Sequence, residues 1–457
     1  MQTWLPTLDG TRGPKYLAIA DAIDQAVRTG VLRAGERLPP QRELAKALGV
    51  DLTTVTRAYA LVREAGVIEA SGRLGSYVRN SAANLIAESV SDSGMIMPPQ
   101  PPFALLPEAM RTGLTRLLRA GGQSPLLQYQ PAGGNIHDRK AAAAALTARG
   151  IASSEDEVVI AAGGQNALHA ILSTASKSGD IICAGSCTYP GLLALANSLG
   201  LRLVPLPCDH EGVDPQALAN AARAGARALY VVPTNDNPTT ATMGKGRRRA
   251  IAAAAQEHGL MIIEDDAYGQ LPSRPFPALA SFAPERTWHI ASMSKIISPV
   301  LRIAHVRAPS GQDAWNLAAF IHETAVMGPP LNAALVTSWL KDGTFGDLVG
   351  AVRQEGIARQ RIVARVLDGM DYATHAEGYH IWLKLADGLS AAELASMVRL
   401  AGLSIVPGEA FAVDRAAAPS AVRISIGGAL DHERLRIALE RLRILLPAQA
   451  TRRSLLV

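Results

Sequence analysis

From about residue 136 onward, short apolar runs alternate with stretches of helical periodicity, and this alternation restricts the possible folds more than any other feature of the chain. The runs are Val158-Val159-Ile160, Ile181-Ile182-Cys183, Leu203-Val204, Leu229-Tyr230-Val231-Val232 and Met261-Ile262-Ile263. Strands apolar on both faces, separated by segments long enough to cross over, predict a mostly parallel sheet covered by helices on both sides, an α/β fold. Beyond about residue 335 a long helical stretch precedes Tyr379-His380-Ile381-Trp382-Leu383-Lys384-Leu385 and Val422-Arg423-Ile424-Ser425-Ile426. These strands between helices predict a smaller C-terminal α+β domain.

A different kind of sequence lies ahead of this. Asn80-Ser81-Ala82-Ala83-Asn84 and Ser89-Val90-Ser91-Asp92-Ser93-Gly94 are small and polar, which predicts a linker over residues 80–95. Met97-Pro98-Pro99-Gln100-Pro101-Pro102 then predicts an extended arm, because proline removes backbone donors. The expected organisation is a first domain over 1–79, the linker over 80–95, an arm and large domain over 96–335, and a small domain over 336–457. A chain of 457 residues exceeds what one hydrophobic core usually holds, in keeping with that division.

An apolar fraction of 48% with 19% charged residues is that of a globular chain and excludes disorder throughout. No segment offers the roughly 18 uninterrupted apolar residues of a membrane span, and the first residues lack a secretion signal, so a cytoplasmic protein with no membrane partner is expected. Cys183, Cys187 and Cys208 have neither paired spacing nor a nearby histidine set. They are expected to be reduced, buried thiols, with no metal site.

In the first domain, Tyr16 to Arg28 has helical spacing, a second helix follows Pro39-Pro40 from Gln41 to Leu48, and Gly49 turns the chain. Asp51 opens a third helix that runs to about Glu64 and carries Thr53, Thr54 and Arg57 near its start. Short strands on either side of Gly72-Arg73-Leu74-Gly75 complete a hairpin. Hydroxyls and a guanidinium at a helix start can reach base edges or phosphates. Eleven basic against eight acidic side chains in the first 80 residues is too even a balance to identify DNA binding by charge alone.

The segment Arg37-Leu38-Pro39-Pro40-Gln41-Arg42-Glu43-Leu44-Ala45-Lys46-Ala47-Leu48-Gly49-Val50, followed by Thr54-Val55-Thr56-Arg57-Ala58-Tyr59, resembles the GntR-type winged helix-turn-helix. The resemblance implies that the third helix enters the major groove of double-stranded DNA. Its DNA-binding residues would be Thr53, Thr54 and Arg57 on that helix, with Arg42 and the wing residues Arg73 and Ser76 approaching phosphates. Asp51-Leu52 departs from the serine-arginine pair common at this point in such proteins.

In the large domain, Ala291-Ser292-Met293-Ser294-Lys295 with Arg302 beyond it supplies a lysine amine beside phosphate donors. Glu264-Asp265-Asp266-Ala267-Tyr268 sets acids at the C-terminal end of an apolar strand, where α/β sheets bind ligands. Ala162-Gly163-Gly164-Gln165-Asn166 follows a strand and opens a helix, whose free N–H groups can hold a phosphate. Asn237 lies in the loop Pro233-Thr234-Asn235-Asp236-Asn237-Pro238-Thr239, and Tyr189 could cover an aromatic ring. An imine-forming lysine, an acid for a pyridine nitrogen and a phosphate cradle are together what pyridoxal chemistry requires.

These segments resemble the aspartate-aminotransferase-like proteins, which use pyridoxal 5'-phosphate. The resemblance implies an aldimine on Lys295, Asp265 at the pyridine nitrogen, and Asn237 and Tyr268 near the phenolic oxygen. It assigns Gly164, Gln165, Ser292 and Arg302 to the phosphate, Tyr129 to the phosphate across a dimer interface, and Arg423 to a ligand carboxylate. A winged helix joined to such a domain resembles the MocR class of transcriptional regulators. That class implies a homodimer sensing an amino-acid-like amine or vitamer through aldimine exchange. A catalytically active aminotransferase with a fused DNA-binding or interaction domain is the alternative that the same residues leave open.

Overall fold

In the N-terminal part of the computed structural model, helices α1 (Lys15–Arg28), α2 (Gln41–Leu48) and α3 (Leu52–Glu64) precede a hairpin of β1 (Ile68–Ala70) and β2 (Ser76–Val78), paired antiparallel. The described residues of the chain are 4–6, 15–28, 31–33, 35–64, 67–70, 75–78, 94–101, 105–119, 127–386, 389–399 and 403–454. They fall into two units, Met1–Ser93 and Gly94–Val457. Gly49 ends α2 in the left-handed region at φ 59°, a conformation glycine adopts without steric cost. Ile19, Ile23, Leu44, Val55, Val62, Ile68 and Val78 bury one apolar face from each element into a single small core. The buried Tyr59 hydroxyl donates to the Pro39 carbonyl at 2.7 Å, tying α3 to the segment that leads into α2.

The second unit is built on a sheet of β3 (Val158–Ala161), β4 (Ile181–Gly185), β5 (Arg202–Leu206), β8 (Ala228–Val231), β9 (Met261–Asp265), β10 (Thr287–Ser292) and β11 (Ala304–Arg307). Their order across the sheet is β3-β11-β10-β9-β8-β4-β5. Neighbours from β10 through to β5 run parallel, whereas β11 is antiparallel to both β10 and β3. The parallel α/β expectation thus holds with one reversed strand inside the sheet. A two-stranded ribbon, β6 (Cys208–Asp209) and β7 (Gly212–Val213), lies after β5. Cys183 and Cys187 are buried free thiols, but Cys208 is exposed on this ribbon, which corrects the expectation for that residue. A two-stranded ribbon is too narrow to enclose both of its faces.

A second sheet has the order β12 (Tyr372–Thr374), β13 (His380–Lys384), β15 (Ala421–Ser425), β14 (Ser404–Pro407), all antiparallel. The expected boundary between residues 335 and 336 lies inside the helix Pro330–Asp342. One apolar cluster runs from Ile96 through Ile290 and Leu335 to Ile424 and Leu446, so both sheets share a core. Among the described residues no helix is long and apolar enough to cross a membrane. This architecture brings the C-terminal ends of β8, β9 and β10 beside the N-terminus of the helix Gly164–Ala175, the edge at which such sheets take ligands.

Candidate functional site

Strand alternation sorts the three consecutive acids at the end of β9. Glu264 is fully buried and accepts from the Leu279 and Ala280 amides at 2.7 and 3.0 Å and from His289 Nδ1 at 2.9 Å. Asp266 forms an ion pair with Arg149 at 2.6 Å. Both are therefore committed to the fold. Asp265 accepts instead from the Tyr230 hydroxyl at 2.8 Å. Desolvation raises its carboxyl to about 6, against the lowering effect of that hydrogen bond.

Lys295 follows β10, and its Nζ donates to the Ile96 carbonyl at 2.6 Å. Burial first, then the positive charges of Arg423 and Arg302, lower its amine to about 8, while Asp265 opposes the shift. An amine that loses its proton near neutrality is a far better nucleophile than an ordinary lysine.

Beside it lie the turn into the helix Gly164–Ala175 and the side chains of Arg302 and Ser292. Gly163, at φ 88°, precedes the helix Gly164–Ala175, and a Cβ there would stand 3.1 Å from the Arg302 guanidinium carbon. A Cβ on Gly164 would likewise stand 3.6 Å from Ser292 Oγ. Arg302 Nη2 donates to the Ala162 carbonyl at 3.0 Å, and Asn166 Oδ1 accepts from the Ala162 amide at 3.1 Å. Ser292 Oγ accepts from the Ser294 amide at 3.3 Å, whereas the buried Ser294 hydroxyl has no partner among the described residues. Gln165 turns its side chain away, donating to the Gly191 carbonyl at 3.3 Å, so its backbone N–H is what it contributes to the helix start. Tyr189 is half-buried where the helix Pro190–Ser198 begins, its hydroxyl pushed up by desolvation and then by Asp265.

On the other side of Lys295, Arg423 is 2% exposed. Its Nη1 donates to Asn237 Oδ1 at 3.1 Å, its Nη2 donates to the Gly94 carbonyl, and the guanidinium lies 5.0 Å from the centre of the Phe411 ring. Tyr268 is buried, 6.0 Å from the Tyr379 ring and 5.8 Å from that of His380. His380 Nε2 donates to the Asp236 carbonyl at 3.0 Å, and burial lowers this histidine to about 3, so it stays neutral. Asp265 acts electrostatically on Lys295, Tyr268 and Tyr189, Arg423 on Lys295 and Tyr268, and Arg302 on Lys295 and Tyr189.

Tyr129 is not in it. That side chain is 82% exposed and lines a separate concavity of about 420 Å³ with Leu127, Met327 and Pro329. Tyr230, by contrast, belongs to the site although nothing in its apolar run suggested chemistry. The available signal was a hydroxyl on the strand paired beside the one that ends in Asp265.

In the first unit, Arg42, Thr53 and Arg57 are exposed, and Thr54 and Ser76 are half-buried. Arg57 rests its guanidinium 4.0 Å from the centre of the Tyr16 ring, a cation–π contact that fixes its direction. The Thr56 hydroxyl donates to Gln41 Oε1 at 2.9 Å, holding α2 against α3. Arg73 lies outside the described residues.

Aminotransferase class I and II matches residues 100–442, and the gntR family of bacterial regulatory proteins matches residues 15–78. The chain is 31% identical to the HTH-type transcriptional regulator YdeF of Bacillus subtilis (strain 168), over 93% of its own length and 92% of the relative's. It is 28% identical to PtsJ, the vitamin B6 salvage pathway transcriptional repressor of Salmonella typhimurium, over 91% and 95% of the two lengths. The structure of the α-aminoadipate aminotransferase LysN from Thermus thermophilus, complexed with N-(5'-phosphopyridoxyl)-L-leucine, superposes with a TM-score of 0.69 at 26% identity. That match covers 85% of this chain and 97% of LysN.

Proposed function

Because the chain belongs to the aminotransferase class I and II family and joins to it a GntR-family regulatory domain, the MocR-type combination, we propose that it is a DNA-binding transcriptional regulator that carries pyridoxal 5'-phosphate and senses an amino-acid-like amine. One observation carries the reading: the amine of Lys295, lowered to about 8, lies within electrostatic reach of both the Asp265 carboxylate and the Arg423 guanidinium. The unpartnered Ser294 hydroxyl and the bare glycine turn at Gly163 suit a phosphate, which would accept from both and from Ser292, Arg302 and the Gly164 and Gln165 amides. Asp265, kept ionised by Tyr230, would hold the pyridine nitrogen protonated. Tyr189 would cover the ring, with Asn237 and Tyr268 at its phenolic oxygen. When bound, the cofactor supplies an aldehyde carbon that condenses reversibly with a primary amine, that of Lys295 or that of a ligand.

The residues of this chain then select the ligand. Arg423 can grip a carboxylate through two charge-assisted hydrogen bonds. Neutral His380 and buried Tyr268 add no charge there. Arg42, Thr53, Thr54, Arg57, Arg73 and Ser76 would meet the duplex, and a homodimer would bring Tyr129 of one protomer to the phosphate of the other. Such a protein works in the cytoplasm, where its DNA is. PtsJ, named for vitamin B6 salvage, favours a second reading in which the sensed molecule is a vitamer.

Genomic footprinting with the purified protein, cofactor-loaded and cofactor-free, tests the proposal. Discrete protected sites whose occupancy changes with the cofactor are expected. No protected sites, together with sustained multiple-turnover transamination, would instead establish an aminotransferase.

A further inference from the structure

The segment that opens the second unit lies against two of the residues assigned above to the ligand site. Gly94 gives its carbonyl to Arg423 Nη2, and two residues on, Ile96 gives its carbonyl to Lys295 Nζ at 2.6 Å. The Ile96 side chain is 2% exposed in the main apolar cluster, while Met95 and Met97 on either side point outward at 44% and 39% exposure. Pro99 pairs with Gly428, the Gly428 amide donates to the Pro98 carbonyl at 3.2 Å, and the Gln100 amide donates to the Gly428 carbonyl at 3.4 Å. Gly427 leaves the space this strap crosses: a Cβ there would meet the Met97 carbonyl oxygen at 1.8 Å.

The Gly94 carbonyl thus answers the guanidinium that an amino acid would need for its carboxylate, whereas the Ile96 carbonyl can hold the Lys295 amine only while that amine is not joined to the cofactor. We propose that residues 94–97 are an internal competitor for the ligand site, displaced when a carboxylate-bearing amine enters. Their release is transmitted to the DNA-reading unit through the chain that joins it to Gly94. This rests on the regulator reading above. The physical basis is a difference in bond strength. A carboxylate on arginine makes charge-assisted bonds roughly twice as strong as those of a neutral carbonyl, so the ligand displaces Gly94 while an amine without a carboxylate does not. The ligand binds only while the strap is open, so its apparent affinity is reduced by the open fraction.

Amide hydrogen exchange at Gln100 and Gly428 in the full, cofactor-loaded chain reads the strap directly. L-Alanine should speed exchange at both amides, and ethylamine, the same amine without its carboxylate, should not. Ile96→Ala keeps both carbonyls but removes the anchor. It should speed exchange without ligand, lower the half-saturating L-alanine concentration several-fold in a spectral titration, and move operator affinity toward its ligand-bound value. Exchange unchanged by L-alanine at concentrations that saturate the spectral response, or a half-saturation unmoved by Ile96→Ala, would overturn the competitor. An operator affinity indifferent to Ile96→Ala would overturn its coupling to the DNA-reading unit. The exchange and titration measurements need no DNA, so a failure of operator binding would sink the regulator reading without deciding this one.

Discussion

The two units hold their candidate functional residues in opposite ways. In the first, Arg42, Thr53 and Arg57 stand exposed on a small core to which they add little. In the second, Asp265, Tyr268, Asn237 and Arg423 are half-buried or buried, bonded to their neighbours, or shifted in their proton affinity by desolvation. A DNA reader must meet a large charged partner at its surface, and its contacts remain solvated until then. A site for imine chemistry needs an unprotonated amine near neutrality and an acid that keeps its charge beside it, which only burial and chosen neighbours supply. Substitution in the first unit should therefore change affinity alone, and substitution in the second should change chemistry together with its pH dependence.

The largest expected effect is that of Lys295→Ala, which should abolish the covalent link to the cofactor. Borohydride reduction and peptide mapping check it, and a reduced adduct recovered on another lysine would break the assignment. Arg423→Gln comes next, since losing one partner of a buried charged pair costs about 2 to 5 kcal/mol. Carboxylated amines should lose that much affinity while simple amines keep theirs. The same change removes a positive neighbour that helps hold Lys295 at about 8, so its pKa rises and the midpoint for cofactor capture should move to higher pH in stopped-flow measurements.

Tyr230→Phe is smaller. It removes the hydrogen bond that lowers Asp265, so that carboxyl should titrate above its present value of about 6. Cofactor affinity should then begin to fall at a higher pH on acidification, by one or two pH units if the bond is worth about 1.5 to 3 kcal/mol, as read from equilibrium titrations. Smallest are Arg42→Ala and Arg57→Ala, each expected to cost about 1 to 3 kcal/mol in operator affinity if it reads a base. Cofactor content should stay unchanged, and a fall in both would erase the contrast between the units.

How much of this the sequence disclosed follows the same division. Local signals suffice where a residue acts from a regular element: the bounds of α2 and α3 are readable from Pro40, Gly49 and the apolar spacing, and five strands of the large sheet from their apolar runs. β10 and β11 escape that reading because Thr287, His289, His305 and Arg307 interrupt their apolar character, and the burial of Thr287, His289 and Arg307 is made tolerable by partners elsewhere. His289 is hydrogen-bonded to Glu264, which lies twenty-five residues away. His305 remains uncharged because burial lowers it to about 4.

Pairings across the fold are equally hidden. That Asp265 rather than Glu264 or Asp266 turns toward Tyr230 depends on the phase of β9, and that Tyr230 is there to bond it depends on which strands are neighbours. The strap at 94–97 gives no local sign at all. Its chemistry is a backbone carbonyl, and it matters only because Arg423 reaches it from 329 residues away.

The most direct test of the central claim is operator affinity measured across an L-alanine titration for wild type and Lys295→Ala, on a fragment recovered by footprinting. The wild type should shift between two affinities, and Lys295→Ala should hold one affinity throughout, because the ligand has no imine-forming site to enter. An equal shift in both proteins would show that the effector acts without Lys295 and would contradict the account.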